Sequence, residues 1–237
     1  MGRIFKENVH AFGGDQDSEY FFTREHIRRQ EVSVELLSEV VKSSLEKPAN
    51  LLSVACSTGV IEKQMMSKLG LSIYGVDGAF SALPTARERG LQSVCSDISS
   101  LPFKDGFFDY VYAGEIIEHV FDVPKFLSEL NRVMRVGGYF VLTTPNLAKI
   151  DDRIKFLFGK SPRQVDPLHE YLYLHIRPFT ASSITDALTA HGFTDISVRT
   201  NVIRVDLSNK KFILYSKLLA KLFPTLGATL IVRGQKK

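Results

Sequence analysis

The chain has 237 residues, of which 44% are hydrophobic and 11% aromatic, and this is enough to bury one sizeable core. Its formal net charge of +4 is small and its basic residues are spread along the chain, so charge alone does not indicate a nucleic-acid partner. Two cysteines exclude a dense disulfide framework and are expected to be reduced. The N-terminus lacks the pattern of a signal peptide, and lysines and a proline interrupt the most apolar tract, residues 212–232. We therefore expect a soluble, cytoplasmic protein.

Apolar runs of strand length alternate with amphipathic stretches of helical period through the first part of the chain. Strands are predicted over five ranges, which are 51–55, 72–76, 92–96, 108–113 and 139–144. Helices are predicted before the first strand, after it and before the fifth, because apolar residues recur there every three or four positions. These residues are Val34, Leu37, Val41 and Leu45, then Ile61, Met65 and Leu69, and then Phe126, Leu130, Val133 and Met134.

The third of these helices has a clear predicted end, because Gly137 and Gly138 follow Met134 and could supply a left-handed C-cap. Residues 145–179 then depart from the alternation and are interpreted as an insertion on the ligand side of the sheet. The elements predicted within and beyond it are a helix over 147–158, a helix over 180–190 with Thr180 as N-cap, a strand over 195–199, a basic helix over 209–223 and a strand over 228–232.

Together these elements predict a doubly wound, Rossmann-like α/β fold with helices on both faces of the sheet. We expect seven strands, mostly parallel, with the last one antiparallel. The whole chain, 1–237, is interpreted as a single domain. Its parts are a helical leader and first helix over 1–50, a ligand-binding core over 51–144, the insertion over 145–179 and a segment over 180–237 that completes the sheet.

The first predicted strand runs directly into a turn of small residues that ends at Gly59, and the second apolar run ends on Asp77. In a β-α-β unit of this kind the first loop lies against the ligand, where larger side chains would collide, and an acid after the second strand accepts hydrogen bonds from ribose hydroxyls. This pairing predicts a site for a nucleoside.

Three further segments carry a family resemblance. The sequence LPFKDGFFDYV at 101–111, EHV at 118–120 and RVGGY at 135–139 resemble, in order and spacing, the class I S-adenosylmethionine-dependent methyltransferases. The resemblance covers residues 51–146 well and the later helices and strands more loosely. It implies S-adenosylmethionine as the cofactor and S-adenosylhomocysteine as the product.

The glycine content of the first loop agrees with that resemblance. A dinucleotide needs a helix N-terminus approached through three spaced glycines, whereas this loop offers only Gly59. By the resemblance, Asp77 would bind the ribose, and Asp97 would accept from the adenine amine while Ile98 offers its backbone N–H. The cofactor-binding residues that we predict are Arg28, Ser53, Ala55, Cys56, Ser57, Gly59, Asp77, Gly78, Ala79, Asp97, Ile98, Gly114 and Glu115.

The first loop also departs from the family. Members usually carry an acidic residue where this chain has Ser53, and glycines where it has Ala55 and Ser57. The replaced acid removes an expected contact, often through water, to the amino group of the cofactor. The added Cβ atoms narrow the turn, so weaker or altered cofactor binding is one expectation.

Methyl transfer to a hydroxyl group also needs a base near the carboxyl ends of the fourth and fifth strands. Neutral histidine can accept a proton near physiological pH, and a neighbouring carboxylate can orient it. We predict His119, next to Glu118, as the first candidate, followed by His169 and His175 in the insertion. Each of these histidines could instead be structural. No metal site is predicted, because these residues lack a known ligand spacing.

The acceptor is predicted to be a small molecule, a sugar or a lipid-linked compound, methylated at oxygen. RNA is less favoured because the basic residues of the insertion form only a modest group. The basic helix predicted at 209–223 could touch a membrane, although packing against the sheet is the more ordinary role. A protein that binds the cofactor without methyl transfer, as a regulator or partner subunit, is the alternative function.

Overall fold

In the computed structural model, residues 23–41, 49–165, 174–207 and 212–237 are described. The strands are β1 (Asn50–Val54), β2 (Ser72–Asp77), β3 (Gln92–Cys95), β4 (Phe108–Gly114), β5 (Met134–Pro145), β6 (Phe193–Thr200), β7 (Ile203–Leu207), β8 (Phe212–Ser216) and β9 (Thr229–Lys236). The α-helices are α1 (Arg24–Ser38), α2 (Val60–Leu69), α3 (Leu83–Glu88), α4 (Val123–Val133), α5 (Ile150–Leu157), α6 (Ala181–Ala190) and α7 (Lys217–Leu222).

Seven of these strands form one sheet in the order β3-β2-β1-β4-β5-β9-β6. Strands β1 to β5 pair in parallel, and β9 lies antiparallel between β5 and β6. The chain reverses its direction of travel across the sheet between β3 and β4, so the ends of β1 and β4 flank the crevice where such sheets bind ligands. The predicted doubly wound fold, with its last strand antiparallel, is confirmed.

Each face of the sheet is covered by its own hydrophobic core. On one face, Leu37 of α1, Met65 of α2 and Leu83 of α3 are fully buried in one cluster. On the other face, Phe126 of α4 and Ile184 of α6 are fully buried in a second cluster. The amphipathic stretches seen in the sequence therefore pack on both faces, as predicted, and the carboxyl ends of the strands are left to form the site.

The predicted C-cap after α4 is wrong. The helix ends at Val133, and Met134 already has an extended backbone, with φ −76° and ψ 143°. Gly137, at φ +77°, instead lies within β5, where the register with β4 shifts. A Cβ atom on Gly138 would lie 2.8 Å from the backbone oxygen of Asp109. The two glycines thus allow a close and irregular strand pairing, and they do not terminate the helix.

The predicted basic helix over 209–223 is also wrong at residues 212–216, and residues 209–211 lie outside the described part of the chain. Residues 212–216 form β8, which pairs with β7 in a two-stranded antiparallel sheet that the sequence did not reveal. Only Lys217–Leu222 is helical, capped by the Ser216 side chain, which accepts from the N–H of Leu219 at 3.1 Å. A short, continuous apolar run suits a strand as well as a helix, and this explains the error.

The later elements follow the sequence more closely. Helix α6 begins after Thr180, which is its N-cap and forms a capping box with Ser183. The insertion contains α5, somewhat shorter than predicted, and its residues 166–173 lie outside the described part of the chain. Among the described residues, no helix combines the length and the apolar character that a membrane span requires.

Candidate cofactor and acceptor site

The first loop holds its residues in the left-handed conformation that a tight turn requires. Gly59, the N-cap of α2, has φ +77°, and a Cβ atom there would lie 3.0 Å from Leu91. Ala55 and Ser57 also adopt positive φ, at 57° and 47°, although neither is glycine. A side chain in this conformation costs roughly 1–2 kcal/mol per residue. The loop therefore keeps a glycine-like path despite the two added Cβ atoms.

Asp77, at the end of β2, connects the loop after β1 to the loop after β2. Its Oδ2 accepts the N–H of Ser57 at 2.7 Å, and its Oδ1 accepts the N–H of Ala79 at 2.8 Å. Burial raises the pKa of Asp77, and the N–H groups of Ala79, Ser57 and Gly78 act in the opposite direction. Because a carboxylate offers about four acceptor positions, it can receive further donors from a ligand.

Asp97 and Ile98 follow β3 at the same edge of the sheet, since Asp77 and Cys95 are register partners. Asp97 is exposed, and its Oδ1 accepts the N–H of Ser99 at 2.8 Å. Ile98 is partly buried and packs against the core. The fold thus brings the residues predicted for ribose and adenine to neighbouring strand ends.

Cys56 is a packed residue of the first loop. It is buried, and a Cβ atom on Gly75 would lie 2.6 Å from its Sγ atom. Burial, with Glu62 and Asp77 nearby, raises the pKa of the Cys56 thiol. A protonated, enclosed thiol is a poor nucleophile, and the geometry favours a packing role for this side chain.

The α1 arginine that contacts Glu115 is Arg29, the neighbour of the predicted Arg28. Arg28 forms ion pairs with Glu31 and Glu35 on its own helix, both at 2.9 Å. The Arg29 side chain is 7% exposed, and its Nη1 lies 3.0 Å from Oε2 of Glu115. The signal was present in the sequence, because Arg29 is in helical register with the buried Ser33 and Leu36.

Glu115 follows the end of β4 and connects it to β5. It has φ +52°, its Oε1 accepts the hydroxyl of Thr143 at 2.9 Å, and its N–H donates to the Thr143 carbonyl at 3.0 Å. Gly114 precedes it, and a Cβ atom there would lie 2.5 Å from the Tyr112 hydroxyl oxygen. Gly114 and Glu115 therefore lie at the carboxyl end of β4, beside Arg29, and their contact with the cofactor stays a prediction.

His119 ends a short 3-10 turn, Ile117–His119, that follows β4. The Nδ1 atom lies 3.1 Å from the carbonyl oxygen of Leu174 and must donate to it. The neutral ring therefore carries its lone pair on Nε2. Burial, together with His175, lowers the pKa of His119 to about 4. The ring is consequently neutral at physiological pH, with a nitrogen that can accept a proton or bind a metal.

Glu118, beside His119, is a buried carboxyl group with 2% of its surface exposed. Its Oε2 accepts the hydroxyl of Thr144 at 3.1 Å, and its Oε1 is buried without a hydrogen-bond partner among the described residues. Burial, reinforced by the charge of Glu115, raises the pKa of Glu118 well above its usual range. The group is expected to be protonated when no ligand is bound.

The segment after residue 173 brings a second histidine to this position. The His175 and His119 rings lie 4.8 Å apart, edge to face, and the N–H of Arg177 donates to the Glu118 carbonyl at 3.0 Å. His169 lies outside the described residues. Ligand-type atoms of Glu118, His119 and His175 all lie within 4.8 Å of one another, so they could hold a metal ion. The sequence spacing gave no sign of this grouping.

A recess of about 570 Å³ is formed by residues that directly follow His119 and His175 in the chain. Its walls include Phe121 and Ile176. This volume lies within the range of roughly 300–1,000 Å³ that is usual for small-molecule sites.

The fold defines a Rossmann-like α/β protein, and its strand-end loops carry the residues predicted to bind a nucleoside. Comparison with known proteins shows what the chain is similar to. Residues 52–142 match the family model described as "Methyltransferase domain". This segment carries a methyltransferase domain, and the match supports the resemblance to the class I S-adenosylmethionine-dependent methyltransferases.

Three similar proteins illustrate the relationship. A protein of Mycolicibacterium smegmatis, named a probable S-adenosylmethionine-dependent methyltransferase, is 36% identical over 146 residues, which cover 61% of this chain and 51% of the relative. A ubiquinone biosynthesis O-methyltransferase of Bradyrhizobium sp. is 32% identical over 40% of each chain. The structure of geranyl diphosphate C-methyltransferase from Streptomyces coelicolor superposes with a TM-score of 0.67 and 14% identity, over 100% of this chain and 99% of that one.

The chain spans about half the length of the first curated relatives that it matches. The structural likeness, at 14% identity, shows the fold alone. The activity and the acceptor are therefore inferred from the residues of the site.

Proposed function

We propose that this protein transfers a methyl group from S-adenosylmethionine to an oxygen atom of a small-molecule acceptor. One observation carries the proposal. Asp77 anchors the loop that follows β2, and the neutral His119 lies in the loop that follows β4. Because β2 and β4 flank β1 in the parallel sheet, these two residues lie at the same edge. A nucleoside-binding loop and a proton acceptor are thus available to one pair of ligands.

The residues of the first half of the sheet would hold the cofactor. Asp77 would accept ribose hydroxyls, Asp97 and Ile98 would contact the adenine, and the turn at Gly59 would pack against the methionyl part. When bound, S-adenosylmethionine supplies an electrophilic methyl group on a positively charged sulfur. The chain itself provides orientation and excludes water, which are the main requirements of such a transfer.

His119 is the candidate base. Its Nδ1 proton is committed to Leu174, so only Nε2 is left to accept the proton of an acceptor hydroxyl. His175 packs against the ring and would restrict its orientation, and His169 remains a candidate that the described residues do not test. A reaction that uses His119 as the base needs no metal ion, so treatment with a chelator is expected to leave turnover unchanged.

Two observations favour a small acceptor. The recess lined by residues that follow the two histidines in the chain has the volume of a small-molecule site, and its wall includes aromatic and aliphatic side chains. Relatives with small acceptors in their names include the ubiquinone biosynthesis O-methyltransferase. Sugars and lipid-linked compounds remain within this class, and RNA is the less favoured acceptor. The thiols of Cys56 and Cys95 are free, and a cytoplasmic location stays a prediction.

The experiment is a methyl-transfer assay with labelled S-adenosylmethionine and a panel of phenols, sugars, carboxylic acids and amines. We expect label to enter a hydroxyl-bearing acceptor, and the His119→Ala variant to lose this transfer. The His191→Ala variant is the matched control, because that ring contacts its own helix through Ala187. Transfer only to amines, or transfer that survives in His119→Ala, would contradict oxygen methylation by this base.

The alternative is a protein that binds the cofactor without methyl transfer. The strained Ala55 and Ser57 in the first loop favour it, because they depart from the family where the cofactor is held. Binding of S-adenosylhomocysteine without label transfer to any acceptor of the panel would establish this alternative.

Peripheral membrane contact also stays a prediction. The helix that could make this contact, Lys217–Leu222, is shorter than the predicted helix over 209–223. Leu218, Leu222 and Phe223 are more than half exposed, and Lys217 and Lys221 lie in the same short helix. Lipid-linked acceptors would suit such a surface. Sedimentation with anionic vesicles, compared between the parent protein and Leu218→Ser/Leu222→Ser, tests it.

A further inference from the structure

Glu62, in the first turn of α2, is a buried acid that the cofactor contacts described above do not use. It is 2% exposed, and its Oε1 accepts the hydroxyl of Ser53 at 2.6 Å. Its Oε2 is buried without a hydrogen-bond partner among the described residues. Leaving a buried carboxylate oxygen unpaired is costly, so the arrangement indicates a missing donor.

The surroundings of Glu62 place it beneath the first loop. Ser53 lies on β1, directly between its register partners Gly75 on β2 and Tyr112 on β4. Asp77 is also close enough for its charge to raise the pKa of Glu62. The acid thus lies next to the loop whose N–H groups Asp77 holds, and within the same end of the sheet.

The charges around Glu62 indicate what kind of donor would fit. The ionisable groups that face it are Asp77 from β2, Tyr112 from β4, Cys56 from the loop and Arg89 after α3. Of these only Arg89 is cationic, and its Nη1 donates to the carbonyl of Thr58 at 2.8 Å. A small cation with N–H donors would therefore be stabilised here, and an ammonium group has this chemistry.

We propose that Glu62 and Ser53 form the subsite for the α-ammonium group of the cofactor, with the carboxylate supplied from α2 and not from β1. The family's acid on the first strand is replaced here by Ser53, and Glu62 restores a carboxylate at the same place by hydrogen bonding to that serine. This inference rests on the proposed function, because it assumes that the chain binds S-adenosylmethionine.

A pH dependence accompanies this subsite. Burial raises the pKa of Glu62 to about 7, so part of the unliganded protein holds a proton there at neutral pH. An ammonium ligand favours the ionised acid. Binding should therefore release a proton, and affinity should rise as the pH increases from 6 to 7.5.

The test is calorimetric titration of the parent protein and variants with S-adenosylhomocysteine and with 5′-methylthioadenosine, which lacks the amino-acid part. In Glu62→Gln we expect S-adenosylhomocysteine to bind about tenfold more weakly and with less pH dependence, while 5′-methylthioadenosine binds as before. The double variant Ser53→Asp/Glu62→Ala returns the acid to β1, and it should recover most of the lost affinity.

The outcomes separate the two proposals. Equal losses for both ligands in Glu62→Gln, or no loss for either, would overturn the subsite while leaving the proposed function intact. Failure of the parent protein to bind either ligand would overturn the proposed function itself. Thermal unfolding of each variant verifies that it is folded at the titration temperature.

Discussion

The two halves of the ligand edge are held together in different ways. On the cofactor side, the Asp77 carboxylate is fixed by backbone N–H groups from two neighbouring loops. On the acceptor side, His119 is fixed by the carbonyl of Leu174, which is 55 positions away in the chain, and Glu118 by Thr144. The first half is built from contacts within one β-α-β unit, and the second depends on the segment inserted after β5. The proposed cofactor half is thus formed by local structure, whereas the proposed acceptor half requires the segment that follows β5.

Of the substitutions that test this difference between the two halves, replacement of His119 is expected to have the largest effect. His119→Ala should lower kcat about 10²- to 10⁴-fold, since it removes the proton acceptor, while affinity for S-adenosylhomocysteine stays unchanged. Steady-state kinetics and calorimetry measure the two quantities. A matched loss of cofactor affinity would show that the two halves are not independent.

The pH dependence of the free energy of unfolding tests the second half of the edge through Glu118. Because its pKa is raised in the folded protein, folding favours the protonated acid, and its stabilising contribution is lost as the pH rises through the raised value. Glu118→Gln should therefore lose less stability than the parent as the pH rises above the ordinary range of a glutamate. Chemical unfolding at several pH values measures this.

The control for that measurement is Glu31→Gln on the surface of α1, which should follow the parent protein. An unchanged pH slope in Glu118→Gln would mean that the carboxyl group is equally ionised in the folded and unfolded states.

The smallest expected effect concerns the first loop. Ala55→Gly and Ser57→Gly relieve the left-handed strain, so each should stabilise the protein by about 1 kcal/mol and raise Tm by about 2–4 °C. Differential scanning calorimetry measures the change. A decrease in Tm would show that the Cβ atoms make packing contacts that outweigh the strain.

The same contrast explains what could be predicted from the sequence. Gly59 and Asp77 belong to adjacent elements whose order fixes their proximity, so spacing alone located them. The meeting of Glu118, His119 and His175 depends on how the insertion folds back, and no local pattern encodes that. Glu62 was missed because an acid in the first turn of a helix ordinarily only complements the helix dipole.

The errors in secondary structure have related causes. Residues 212–216 form a continuous apolar run, which lacks a period that separates strand from helix. The pair Gly137 and Gly138 matched a helix cap in sequence, but their backbone serves a close strand pairing that only the tertiary structure reveals.

The most direct test of the account is calorimetric titration of S-adenosylhomocysteine into the parent protein and into Asp77→Ala. Asp186→Ala, on the exposed surface of α6, serves as the matched control. The account predicts one binding site in the parent and control proteins, and affinity at least about tenfold weaker in Asp77→Ala, because the variant loses a charged hydrogen-bond acceptor. Absence of binding to the parent protein, or equal affinity in Asp77→Ala, would contradict it.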